Sequence, residues 1–131
     1  MSVRKFVLAV LAVSLGSAAG GSAWAATCSR VEITLHNGSA DQIKVTKFEY
    51  EDAGVWKTDG MFGSEGYQKL DAGMRLTWTR NLEGVGGEST KFKATYQHHI
   101  GGAKWGTDKV VTIGPFTCVD TTTKKTLELN K

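Results

Sequence analysis

Apolar and polar residues alternate with a period of two along most of the chain. Val31, Ile33 and Leu35 are spaced by Glu32 and Thr34; Met74, Leu76 and Trp78 by Arg75 and Thr77; Phe92, Ala94 and Tyr96 by Lys93 and Thr95. Successive side chains on a strand point to opposite faces, so each run predicts a strand with one buried face. Asn37-Gly38-Ser39, Ala53-Gly54 and Leu70-Asp71-Ala72-Gly73 separate the runs and carry the residue types that tight turns need. Within one run the apolar parity changes, from Ile43 and Val45 to Phe48 and Tyr50. Such a change predicts a bulge or a strand crossing between sheets.

Residues 59–66 and Gly84-Val85-Gly86-Gly87 are glycine-rich and read as loops. Ile100-Gly101-Gly102-Ala103 reads as a hairpin connection into a strand beginning near Lys104 and Trp105. Gly114-Pro115 interrupts the strand of Val110 to Ile113, Phe116 to Val119 resumes it, and Leu127 and Leu129 alternate in the last strand. About eight short strands at regular spacing, with no competing helical pattern, predict a single antiparallel β-sandwich. A small β-barrel is the alternative.

The first 25 residues follow a different logic. Arg4 and Lys5 precede the apolar run of residues 7–13, and a small-residue stretch ends in Ala23-Trp24-Ala25. This order marks a secretory signal peptide over residues 1–25, leaving residues 26–131 as one all-β domain. The apolar run falls well short of the roughly 20 residues that a bilayer span requires, so no transmembrane anchor is expected. A compact bacterial-type leader directs the domain to the periplasm or the exterior.

Removing the leader changes the charge. Of the 16 Lys and Arg residues, Arg4 and Lys5 leave with it, and the formal charge falls from +3 to +1. No basic run exceeds Lys124-Lys125, which argues against a nucleic-acid partner. Cys28 and Cys118 stand near the two ends of the domain. An even pair in an oxidising compartment predicts a disulfide. There is no C-x-x-C motif and no zinc-ligand spacing, so the bond is read as structural and no cofactor is expected.

The candidate chemistry is sparse. His98, His99 and His36 are weak metal candidates, because adjacent residues on a strand face opposite sides; a polar strand end explains the His98-His99 pair. Glu49 and Glu51 would share a face, as a glycosidase pair does, yet a solvated strand end explains them too. Ser64 lacks the G-x-S-x-G elbow, and residues 84–87 lack the Lys-Ser/Thr of a phosphate loop. None of this makes a positive case for catalysis.

The aromatic residues say more. Trp78 shares the core parity of Met74 and Leu76, whereas Trp56 fits either face. Trp105 and Lys104 lie between glycines, and Phe62 and Tyr67 lie in or beside the 59–66 loop. Large side chains on loops of a rigid scaffold build recognition surfaces, although the same loops can fold back to close the ends of a sandwich. The expectation is a non-catalytic, secreted or periplasmic binding module. It would recognise a protein, an envelope glycan or a membrane surface through Trp105, Lys104, Phe62 and Tyr67. An inhibitor of an envelope-directed hydrolase, a membrane-active sandwich protein and a small secreted hydrolase are the alternatives.

Overall fold

The structure is a computed structural model that describes residues 26–130; residues 1–25, read above as a signal peptide, and Lys131 lie outside the described residues. The alternating runs form strands β1 (Ala26–His36), β2 (Ile43–Asp52), β3 (Val55–Thr58), β4 (Gln68–Leu70), β5 (Arg75–Gly86), β6 (Ser89–Gly101), β7 (Lys104–Trp105), β8 (Lys109–Thr117) and β9 (Lys124–Glu128). They assemble into two sheets rather than a closed barrel. One is three-stranded in the order β9-β1-β5. In the other, β3 and β4 share one edge of β2, β6 lies on its opposite edge, and β7 and β8 both pair with β6. All these pairings are antiparallel except that of β9, which runs parallel to β1.

The inward faces meet in one core. Val31, Ile33 and Leu35 of β1 and Leu82 and Val85 of β5 are fully buried together with Ile43, Val45, Phe48 and Phe92 of the second sheet. The Phe92 ring packs edge-on against Phe48 and Phe116, with centroids 5.2 and 4.8 Å away. The parity change in β2 is a bulge: the register against β6 slips between Val45 and Lys47. One extra residue, Thr46, returns Phe48 and Tyr50 to the face already used by Ile43 and Val45.

Two readings of glycine need correction. Residues 84–86 are not a loop but the end of β5, with Val85 fully buried. Gly86 is required there because an added Cβ would lie 2.7 Å from the Ala26 carbonyl oxygen and 2.8 Å from that of Thr27. A Gly86→Ala variant is therefore expected to lose about 1–3 kcal/mol by overpacking, read as a lower urea midpoint. An unchanged midpoint would mean that the start of β1 moves aside freely. Gly114-Pro115 does not end its strand either. β8 passes through it, and the pair bulges opposite Lys91, between the Phe116–Thr90 and Ile113–Phe92 partners. Proline is tolerated at a bulge of this kind because no ladder hydrogen bond is needed from it.

The Cys28–Cys118 disulfide forms, with both residues fully buried. It ties β1 of the smaller sheet to the chain just after β8 of the larger one. A second fastening lies at the other end. Asn37 is wholly buried, yet its side chain donates to the carbonyls of Asp41 (2.8 Å) and Leu70 (2.9 Å). Its Oδ1 accepts from the Ser39 amide (2.9 Å) and hydroxyl (2.7 Å). Its own N–H and C=O pair with Met74 and Gly73. One residue thus joins the β1–β2 loop, β4 and the turn into β5.

Candidate functional site

The outward face of the larger sheet holds an unusual set of side chains. Strand alternation places Lys44, Lys47, Glu49 and Glu51 of β2 opposite its core residues, alongside Lys91, Lys93, Thr95, Gln97 and His99 of β6. Lys69 of β4 and Trp56 of β3 belong to the same face. Five lysines against two glutamates concentrate positive charge here, while residues 26–131 as a whole are almost neutral.

At one end of this face lies an aromatic–lysine cluster. Trp105 on β7 pairs in register with His99, and their rings lie 5.1 Å apart. Because β6 separates β7 from β2, the indole reaches back across β6 and lies half-buried on the sheet. There the Lys44 ammonium sits 4.7 Å from its centroid and that of Lys69 5.7 Å. Lys44 also lies 5.4 Å from the Tyr67 ring. These distances permit cation–π attraction. Lys44 and Lys69 are direct cross-strand partners, an arrangement in which like charges destabilise a sheet. Among the described residues no carboxylate lies within 4.0 Å of either ammonium. Asp108, at the rim, accepts instead from Gln97 (2.9 Å).

The far end of the face differs. Lys93 lies 4.2 Å from the Trp56 centroid, but Glu49 sits between Lys93 (3.6 Å) and Lys47 (3.9 Å), and Glu51 faces Lys91 at 3.9 Å. The charges there are internally compensated. On the inward side of this edge, burial pushes the Tyr50 phenol up, and it donates to the Glu83 carbonyl (3.2 Å). The Asp52 carboxylate, hydrogen-bonded to Lys57 at 2.6 Å, pushes that exposed ammonium up.

The structure brings Tyr67 and Trp105 together through Lys44 and holds Phe62 elsewhere. Phe62 packs edge-on against Trp78 at 5.6 Å, and Met61 is buried beside it, so the 59–66 loop closes the sandwich. Lys104 precedes Trp105 on a two-residue strand, and alternation aims it at the other face. The cations over the indole are Lys44 and Lys69, which sequence reasoning missed. Only the pairing of the three-residue strand β4 with β2 brings them together, and nothing local announces that register.

The other candidates are dispersed. His36 pairs with Glu128 on the smaller sheet. His99 meets the Gly102 carbonyl at 2.7 Å, while His98, on the opposite face of β6, lies against Tyr96 and 4.0 Å from Asp41. Among the described residues no three His, Cys, Asp or Glu side chains converge as metal ligands would. Ser64 is exposed in a short 3-10 turn (Gly63–Glu65). A cavity of ≈ 90 Å³ lies where the β2 bulge leaves a gap between β3 and β4, lined by Thr46, Phe48, Asp59, Gly60 and Phe62 among others. It is well below the roughly 300 Å³ at which small-molecule pockets begin, and neither Glu49 nor Glu51 lines it. Asp59 is moreover engaged by Arg80 at 2.7 Å. Among the described residues no helix is long and apolar enough to cross a membrane. No protein-family model, no curated protein and no solved structure matches this chain.

Proposed function

We propose that this protein is a non-catalytic binding module of the periplasm or cell exterior, and that its binding surface is the outward face of the larger sheet around Trp105. The observation carrying this reading is the Lys44–Lys69 pair, set directly opposite one another over a half-buried tryptophan, with no compensating carboxylate within 4.0 Å among the described residues. Repulsion between such lysines costs stability in the free protein, and an electron-rich or anionic partner relieves it. The buried disulfide supports an oxidising compartment. Among the described residues the scatter of histidines and carboxylates gives a hydrolase no acid–base pair held across a cleft.

The test is to titrate isotope-labelled, oxidised protein with protein, glycan and lipid fractions of a cell envelope and follow amide and indole shifts. Saturable perturbation of Lys44, Tyr67, Lys69 and Trp105 is expected with one fraction. Trp105→Ala should weaken that response at least tenfold, roughly the 1.4 kcal/mol or more that a central aromatic anchor contributes. Perturbations confined to the smaller sheet, or equal affinity in the variant, would remove this reading.

A further inference from the structure

We infer that the occupant of this face is an acidic glycan chain, one of whose sugar rings stacks on Trp105 while its anionic groups take Lys44 and Lys69; this rests on the binding-module reading above. Three features select that chemistry. First, the two ammonium groups are carboxylate-free and opposed across adjacent strands, so a single anionic group placed between them removes a like-charge repulsion present in the free protein. Charge complementarity therefore favours an anion over a neutral ligand at this position.

Second, the lysines lie over an indole whose ring rests along the sheet rather than projecting from a loop tip. When the ammonium groups turn to an anion they uncover that ring, and an apolar sugar face can replace them on it. His99 borders the ring and Gln97 lies across from Lys44; beyond the bonds to the Gly102 carbonyl and Asp108, each keeps a further polar atom able to hydrogen-bond a hydroxyl. Third, the face continues along β2 and β6 to a second tryptophan–lysine contact, Trp56 with Lys93, as a polymer spanning several sugars would require.

A membrane surface fits less well. Insertion needs apolar side chains grouped beside the cations. Here one exposed large apolar residue, Val110 of β8, shares the face through its partner Thr95, while Val55 lies next to the β2–β3 turn, Ile100 at the end of β6 and Val119 beyond β8.

The experiment titrates the oxidised protein with oligogalacturonate, with neutral dextran oligomers, and with vesicles of equimolar phosphatidylglycerol and phosphatidylcholine. Trp fluorescence and amide shifts are followed. The expected result is saturable binding of oligogalacturonate that weakens with salt, shifts centred on Lys44, Lys69 and Trp105, and no saturation with dextran. A Lys44→Gln/Lys69→Gln variant should fold as the parent does, by circular dichroism, and bind roughly tenfold or more weakly with a shallower salt dependence. Absence of saturable oligogalacturonate binding, or equal binding by the double variant, overturns the inference. Should vesicles alone shift the same residues, the acidic-glycan assignment is wrong and the binding face stands. Should the oligosaccharide bind elsewhere, with nothing perturbing this face, both fall.

Discussion

A Cys28→Ala/Cys118→Ala variant is expected to be less stable than the oxidised protein by about 4–5 kcal/mol. The bond links positions 90 residues apart, so in the unfolded state it closes one long loop and removes the entropy of bringing those distant ends together. It also joins the two sheets beside the turn that connects them. The Cys118 amide and carbonyl hydrogen-bond to Glu88 and Gly87 of the β5–β6 turn, and Cys28 pairs with Leu82. For a domain of this size the shift is on the order of 20 °C in Tm. Urea unfolding of parent, variant and dithiothreitol-treated parent measures it. The last two should coincide; a loss below 1 kcal/mol would show that the unfolded chain is already compact without the bond.

Asn37→Leu should be the most damaging single substitution outside the core, at about 3 kcal/mol. Leucine keeps the branching of asparagine but can neither donate nor accept, and its methyl groups cannot approach the partners as closely. The Asp41 and Leu70 carbonyls lose the amide donor, leaving Asp41 with the Ser39 hydroxyl, and the Ser39 amide loses its acceptor, in a site closed to water. Asn37→Asp adds a signature in pH. Its carboxylate would face two carbonyl oxygens, which raises its folded pKa above the unfolded value near 3.9. The folded state then binds the extra proton, so the penalty is full above the folded pKa and shrinks as pH falls towards about 4. Chemical denaturation at several pH values decides between these accounts. A leucine variant within 1 kcal/mol of the parent would mean that the loop reorganises without its keystone.

Much of this architecture is legible in residue order alone. The parity change between Val45 and Phe48 marks the bulge, Trp78 follows Met74 and Leu76 towards the core, and the two cysteines pair. Where reading failed, composition misled. Glycines at 84 and 86 suggested a loop, yet Gly86 is small because the β1 backbone crowds it, a contact with a partner some 60 residues away in sequence. Gly114-Pro115 looked like a stop but is a bulge beside Lys91. Asn37 read as a turn residue and is one, but its burial depends on Leu70 and Met74 arriving from elsewhere. The binding face was half visible. Trp105 and Tyr67 stand out by type, whereas Lys44 and Lys69 look like any polar positions until β4 pairs with β2.

The central strand of the smaller sheet is also the first strand of the domain, and its neighbours are β5 and β9. Neither ladder can be built from nearby chain: one waits for residue 75, the other for residue 124. Order of assembly is therefore dictated by topology. The β2–β3 and β6–β8 pairings are local in sequence, whereas one edge of β1 stays open until residue 124 reaches it. Contacts so distant in sequence place folding in the millisecond-to-second range rather than the microsecond range. They also give β9, unremarkable in chemistry, the role of a latch on β1.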